Sequence, residues 1–326
     1  MKFNLFRRTK SLRPSASDSL RERIGQHTVV TFNVGPLGEA CVVLALKPID
    51  YRTTSPGAVF AKTVPDSPQR YRVLIARDGL VEADTFIEGE PFNIHEVQPL
   101  GTDEILLACG RSCYRGPNDF EINGRVYSRD GRFLRAILLG DGIQNLQATR
   151  RGALWVAYFD EGIFGNFGWR EPVGAAGLVA FDAQGERLYE FEPTGGLEAI
   201  SDCYALNVAS DEDVWCCYYT DFPLVHLRDR QVVSSWKSPV EGAHAFAVGE
   251  GHALFAGGYG NRHLFRLVQL GPQGSARVVG EFELRDNAGA AIEAMYTVGR
   301  GSSLHLLGDG IVHRLDLKDV LSQLRG

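Results

Sequence analysis

The sequence predicts an all-β protein, a single six-bladed β-propeller built mostly of four-stranded antiparallel blades. Three observations lead to this prediction. Glycine makes up 37 of the 326 residues and methionine only 2, a composition that favours many tight turns over long helices. Short apolar segments recur along the chain. Tight-turn sequences recur with them about 43 to 54 residues apart, which is the period of propeller blades.

The first strand of each repeat mixes apolar residues with small and polar ones. This pattern is expected of an innermost strand, where side chains crowd around a central channel. The two segments that align best are residues 94–98 and 143–147, and three others match less closely: 203–207, 244–248 and 294–298.

The second strand is the most regular part of the repeat, because it is apolar on both faces. A blade packs against both of its neighbours, so both faces of its middle strands are covered. Six such segments occur, at residues 40–46, 104–108, 153–157, 213–217, 252–256 and 303–307. We expect Trp155, Trp215 and Phe255 to be buried at equivalent positions in three of them.

Tight turns between the third and fourth strands complete the repeat. Glycine, aspartate and similar residues favour such turns between alternating strands. The predicted turns are at residues 78–79, 130–131, 183–185, 228–230 and 272–274.

Six repeats fit residues 27–317, which we expect to form the propeller. Residues 1–26 would be a basic N-terminal tail and residues 318–326 a C-terminal segment. The alternative is seven blades, if residues 48–90 contain an irregular repeat.

The last repeat supplies only three strands, so the exposed edge of its sheet must be covered by another segment. Either residues 3–6 add a fourth strand and close the ring, or the blade has three strands and the C-terminal segment covers it.

One repeat contains the sequence GLVAFDAQG at residues 177–185. With the blade pattern described above, it resembles the six-bladed propellers of the NHL-repeat and SMP-30/gluconolactonase-like kind. This resemblance covers about nine-tenths of the chain and implies a six-bladed fold. It assigns no metal ligands, because no segment matches the metal-binding motifs of the lactonases.

Charge and composition exclude several classes of protein. The net charge is −6, although residues 1–23 hold seven Lys and Arg against two acidic residues. The rest of the chain is therefore acidic, which argues against a nucleic-acid groove on the propeller. The basic tail is either free in solvent or contacts a polyanion or a membrane surface. No apolar segment approaches the ~20 residues of a membrane helix, and no apolar core follows the basic start. We therefore expect a cytoplasmic protein with reduced cysteines.

The candidate site lies on one face of the disc. Loops between second and third strands open on the same face as the loops that enter each first strand, and two of the former are long, at residues 110–124 and 159–177. Polar and aromatic groups from these segments would line a concave mouth, a usual form of ligand site. The candidate ligand-binding residues are His95, Asp160, Glu161, Asn166, Trp169, His244 and Glu293.

The loop beginning at Asp160 allows two interpretations. Asp160, Glu161 and Asn166 could bind a partner molecule or a divalent cation such as Ca²⁺, or the loop's aromatic residues could close the channel as a structural plug. His95 and His244 could act as acid–base groups or be packed and hydrogen-bonded.

The sequence predicts a module that binds a small molecule or a protein on this face. The alternative is a hydrolase or lyase in the channel mouth, acting with or without a divalent cation. No catalytic residue, cofactor or oligomeric state is assigned.

Overall fold

The computed structural model describes residues 10–55 and 57–325 of the chain. Its N-terminal part runs along the outside of the ring before the first complete blade begins. It contains β1 (Lys10–Leu12), β2 (Ser15–Ser19) and the short helix α1 (Arg21–Ile24).

The first two blades each carry a small hairpin between their second and third strands. The first blade contains β3 (Thr28–Val34), β4 (Ala40–Ala45), the inserted hairpin β5 (Arg52–Ser55) and β6 (Ala58–Ala61), then β7 (Gln69–Arg77) and β8 (Leu80–Glu90). The second contains β9 (Glu96–Leu100), β10 (Glu104–Ala108), the inserted pair β11 (Tyr114–Gly116) and β12 (Asp119–Phe120), then β13 (Gly124–Ser128) and β14 (Phe133–Ile137).

The next two blades differ in the length of that loop, which holds a helical turn in blade 3. Blade 3 contains β15 (Ile143–Ala148), β16 (Leu154–Tyr158), α2 (Asp160–Phe164), β17 (Leu178–Phe181) and β18 (Arg187–Glu190). Blade 4 contains β19 (Asp202–Val208), β20 (Asp213–Tyr219), β21 (Pro223–Arg228) and β22 (Gln231–Lys237).

The last two blades close the ring. Blade 5 contains β23 (Ala243–Gly249), β24 (His252–Gly257), β25 (Phe265–Leu270), a 3₁₀ turn (Pro272–Gly274) and β26 (Ala276–Leu284). Blade 6 contains β27 (Tyr296–Arg300), β28 (Ser303–Gly308) and β29 (Ile311–Asp316), and the helix α3 (Leu317–Arg325) follows.

The prediction of six antiparallel blades is confirmed. Residues 48–90 contain the small β5–β6 hairpin and the two outer strands of blade 1, so the seven-bladed alternative is wrong. The predicted second strands coincide with β4, β10, β16, β20, β24 and β28, and the five predicted turns join third to fourth strands.

The N-terminal part supplies the fourth strand of blade 6. Strand β2 pairs antiparallel with β29, with Ala16 opposite His313. Strand β1 adds in parallel to the outer strand β26 of blade 5, with Leu12 opposite Leu284, and Leu12 is fully buried there. Blade 6 is therefore four-stranded. Residues 3–6, which the sequence suggested for this role, lie outside the described residues.

The core lies between the blades, where the second strands are covered on both sides. Trp155 is 3% exposed and Phe255 is fully buried. Trp215 differs from the expectation, because it is only half-buried. Its indole stacks on the His226 ring at 3.9 Å and on Trp236 at 5.7 Å between centroids.

Amide side chains on the innermost strands tie the blades together across the channel. Asn33 donates to the carbonyl of Leu146 at 2.9 Å. Two more amides bridge distant blades: Gln147 donates to the carbonyl of Gly299 at 3.0 Å, and Asn207 to that of Gly301 at 3.0 Å. A buried polar group is stable when it is hydrogen-bonded, and this explains why polar residues recur on the first strands.

The alternation of strand direction gives the disc two different faces. We call "top face" the side that holds the loops from second to third strands and the loops from one blade to the next. The "bottom face" holds the turns between first and second and between third and fourth strands. None of the helices in residues 10–55 and 57–325 is long and apolar enough to cross a membrane.

Candidate functional site

A buried arginine organises the top face of blades 2 and 3. The guanidinium of Arg111 donates to both carboxylate oxygens of Asp141, at 2.8 and 3.1 Å, and lies 2.5 Å from Glu161. The side chain of Asp141 is only 1% exposed and also accepts the backbone N–H of Ser112 at 2.9 Å. We call Arg111, Asp141 and Glu161 the Arg111 cluster.

Aromatic rings surround this cluster and join the two long loops. The Arg111 guanidinium lies 4.2 Å from the ring centroid of Phe167, a cation–π distance. Trp169 donates from its indole nitrogen to the carbonyl of Ser112 at 2.7 Å and packs on Tyr114 with 4.9 Å between centroids. These contacts join the 159–177 loop to the 110–124 loop.

The polar residues of the 159–177 loop serve its own backbone. Asp160 accepts the N–H of Glu161 at 2.7 Å at the start of α2, and Asn166 accepts the N–H of Phe167 at 2.8 Å. Gly162 lets α2 approach the preceding blade closely, because a Cβ there would collide with the carbonyl of Asp141. Local turn chemistry therefore accounts for Asp160 and Asn166.

His95 is a packed residue of the same region. Its Nδ1 accepts the backbone N–H of Gly110 at 3.1 Å, and its ring lies 5.1 Å from that of Tyr51. Burial lowers the pKa of His95 to about 4, so the imidazole is neutral at physiological pH. The hydrogen bond to His95 holds Gly110, the first residue of the 110–124 loop, and so helps to position Arg111, which follows it.

The remaining two candidates lie on other blades. His244 is an exposed residue near the start of β23 in blade 5, where desolvation and then the charge of Arg262 lower its pKa. Glu293 is exposed in the loop that enters β27 of blade 6. The contacts described above therefore connect His95, Glu161 and Trp169 to one network, and His244 and Glu293 belong to other parts of the top face.

The oxygen atoms proposed for a cation have other partners. Glu161 faces Arg111, and the side-chain oxygens of Asp160 and Asn166 accept backbone N–H groups. In the described part of the chain, no group of three or more His, Cys, Asp or Glu side chains is arranged to hold a metal ion.

The sequence did not reveal the exposed apolar side chains of the top face. Fifteen large apolar or aromatic side chains are exposed in the described residues, and nine of them belong to top-face loops. Every blade, or the loop that enters it, contributes at least one. The nine are Ile49, Val59, Phe60, Val64, Ile122, Phe164, Tyr219, Tyr259 and Met295. The signal in the sequence is an apolar residue within a loop that is otherwise polar.

Aromatic residues of blades 4 and 5 form a second cluster on this face. Phe222 is 3% exposed and lies beneath three tyrosines: its ring centroid is 5.1 Å from Tyr204, 5.8 Å from Tyr219 and 5.5 Å from Tyr259. The hydroxyls of Tyr204 and Tyr259 are 2.6 Å apart. Asp221 and Phe222 both adopt left-handed backbone angles, with φ of 62° and 49°. This short turn buries Phe222 and leaves Tyr219 exposed.

The carboxyl group of Asp202 lies beside this cluster at the start of β19. Burial, and then the charge of Asp160, raise the pKa of Asp202 to about 6. The contact between α2 and β19 thus brings carboxylates of two neighbouring blades into the same region.

Comparison with known sequences gives two findings. The model of the YxzG family matches residues 174–309, which is less than half of the chain. No curated protein matches the chain in sequence.

Among solved structures, 535 chains are similar to this one. One is titled "Crystal Structure of Mitotic Checkpoint Complex", with 8% sequence identity, a TM-score of 0.50 and coverage of 97% of this chain and 94% of that chain. This similarity concerns the fold alone, because propellers with unrelated functions share it. The narrower resemblance to NHL-repeat and SMP-30-like propellers is not confirmed by these matches and stays a prediction.

Proposed function

We propose that the protein is a binding module that docks a protein partner on its top face. The observation that carries this proposal is the exposure of apolar side chains from all six blades on that one face. Exposed apolar side chains gathered on one face of a protein are typical of an interaction site. By contrast, the six other exposed apolar residues are divided between the bottom face and the outer strands: Leu37, Leu80, Phe86, Phe133, Leu134 and Val233.

Two further observations favour docking of a protein over hydrolysis in the channel mouth. The groups that could perform acid–base chemistry near the long loops have structural partners, since His95 accepts a backbone N–H and Glu161 faces Arg111. The similar propeller named above belongs to a structure of a protein complex by its title. The two long loops remain part of the proposed surface, because Phe164 and Ile122 extend from them.

Affinity capture with matched variants tests this proposal. The top-face variant combines Phe164→Ser, Tyr219→Ser and Tyr259→Ser, and the control combines Leu80→Ser, Phe133→Ser and Val233→Ser. Both variants remove three exposed apolar side chains, and circular dichroism should show that both fold. We expect a stoichiometric partner that the wild type and the control retain and the top-face variant loses. A partner that the top-face variant retains would contradict the proposal.

A further inference from the structure

The top face is not uniform. The part of it formed by blades 3, 4 and 5 combines exposed aromatic rings with acidic groups that have no ion pair. Three aromatic side chains define the apolar part of this sector: Phe164 is 71% exposed, Tyr259 is 56% exposed and Tyr219 is 46% exposed. They extend from the second-to-third-strand loops of three consecutive blades. We call the loops at residues 159–177, 191–202, 219–222, 238–242 and 257–264 the acidic sector.

The acidic sector holds eight carboxylates and two arginines. The carboxylates are Asp160, Glu161, Glu171, Glu192, Glu198, Asp202, Asp221 and Glu241. Of these, only Glu161 forms an ion pair within the residues that the structure describes, with Arg111. The sector therefore carries a negative charge that the protein itself does not neutralise.

Top-face loops of blades 1 and 2 have the opposite character. Lys62 contacts both Asp50 and Asp66, at 2.7 and 2.6 Å. Arg115 contacts Asp119 and Glu121, at 3.0 and 3.2 Å. Here the acidic groups are paired with basic ones, so the charge of this half is balanced.

The helix α2 of blade 3 packs against β19 of blade 4, which brings carboxylates of neighbouring blades together. Asp160 begins α2 of blade 3 and Asp202 begins β19 of blade 4, and the charge of Asp160 adds to burial in raising the pKa of Asp202. A cation placed between these blades would relieve the repulsion. The neighbouring tyrosine rings add a second attraction, because an ammonium or guanidinium group binds to the face of an aromatic ring.

We infer that the acidic sector binds a cationic segment of the protein partner, one in which lysine or arginine residues alternate with apolar residues. This inference rests on the proposed docking function and specifies the chemistry of the partner. The basic groups would lie among Asp160, Asp202 and Glu241, and their aliphatic stems and apolar neighbours would cover Phe164, Tyr219 and Tyr259. Like charges exclude an acidic segment from the same place.

A defined peptide tests the inference without knowledge of the natural partner. The probe is a fluorescein-labelled peptide in which lysine alternates with leucine and glycine, and its counterpart has glutamate at each lysine position. Binding is measured by fluorescence anisotropy at low and high salt. The charge variant combines Asp160→Asn, Asp202→Asn and Glu241→Gln. The matched control combines Asp78→Asn, Asp229→Asn and Glu250→Gln, three exposed residues of bottom-face turns.

We expect the lysine peptide to bind the wild type and to bind more weakly at high salt, because ions screen exposed charges. The charge variant should weaken binding by about fivefold or more, and the control should stay within about twofold, because specific charge complementarity is local. A ring variant, Tyr219→Ala with Tyr259→Ala, should also weaken binding. Equal loss in the charge variant and the control, equal binding of the glutamate peptide, or no binding of the lysine peptide would overturn the inference.

Failure of this inference can be separated from failure of the proposed function. If the peptide results are negative but the natural partner is still lost from the top-face variant, docking stands and only the cationic assignment is wrong. If the natural partner is retained by the top-face variant, the docking proposal itself is wrong.

Discussion

The Arg111 cluster and the acidic sector lie on the same face of the disc, but charges are paired in the first and mostly unpaired in the second. In the Arg111 cluster, an arginine side chain that is 13% exposed is held between the buried Asp141 and the half-exposed Glu161. In the acidic sector, Asp202 and Glu241 have no ion pair among the residues described here, and the tyrosines beside them face solvent.

Because of this difference, we assign the paired charges a role in stability and the unpaired charges a role in binding. Charges that are buried and paired hold loops in place, and their loss leaves a partner group unsatisfied. Charges and rings that face solvent contribute little to folding and remain available for a partner. The 110–124 loop and Glu161 thus serve mainly the first purpose, whereas Asp160, Phe164 and the short loops of blades 4 and 5 suit the second.

Replacement of Arg111 should have the largest effect on the free energy of unfolding. Arg111→Met leaves Asp141 buried without its cation, so the free energy of unfolding should fall by about 3–5 kcal/mol. The loss should shrink as the pH is lowered, because protonated Asp141 no longer carries a buried charge. Denaturant titration at several pH values measures both effects.

Two controls show whether the burial of the charge is the cause. Adding Asp141→Asn to Arg111→Met should recover part of the lost stability. Arg151→Met breaks contacts with Asp211 and Glu212, but its side chain is 77% exposed, so it should change stability by no more than about 0.5 kcal/mol. Equal losses for Arg111 and Arg151 would remove the distinction between the two regions.

An intermediate effect is expected from the aromatic residues. Trp169→Ala removes the indole that donates to Ser112 and packs on Tyr114, and should cost about 2–3 kcal/mol because the ring is half-buried. Tyr259→Ala removes a ring that is 56% exposed and should cost about 1 kcal/mol or less. Thermal unfolding of the two variants, side by side, tests this order, and a reversed order would mean that Tyr259 is part of the core.

The smallest effect should have the opposite sign. Folding raises the pKa of Asp202 from its usual 3.8 to about 6, so the folded state binds this proton more tightly than the unfolded chain. The resulting penalty is absent below about pH 4, grows between pH 4 and 6 and is constant above. Asp202→Asn should therefore raise the stability at pH 7, by up to about 1 kcal/mol after solvent screening.

The pH dependence provides the check on that last prediction. Melting temperatures of the wild type and Asp202→Asn should converge near pH 4 and diverge by pH 7. A constant difference across this range would show that the carboxyl group is not perturbed by burial and by Asp160.

Much of the fold could be predicted from the sequence, because local patterns encode it. The continuous apolar segments of β16 and β24 and the turn residues at Asp78 and Asp130 indicate strands and hairpins without knowledge of the rest of the chain. The half-burial of Trp215 could not be predicted in this way, since it depends on stacking with His226 and Trp236 from the two outer strands of the same sheet.

The candidate site was less predictable. Topology correctly indicates that the 110–124 and 159–177 loops share a face, but the sequence does not show that His95 and Asp160 hydrogen-bond to nearby backbone groups. Their roles depend on a backbone N–H of Gly110 and on the local turn of α2. The aromatic cluster went unnoticed because its members come from three separate segments, around Tyr204, Phe222 and Tyr259.

The sequence by itself determined the repeated strand pattern of the blades and the acidic character of the propeller, because these depend on residue periodicity, turn composition and total charge. That residues 48–90 do not form a seventh blade was decided by the structure. Only the tertiary structure decided which strand completes blade 6, how Arg111 is neutralised and which carboxylates stay unpaired. Each of these depends on groups that are distant in the chain, as the pairing of Ala16 with His313 shows. Such contacts form only when the ring closes, so local sequence patterns do not predict them.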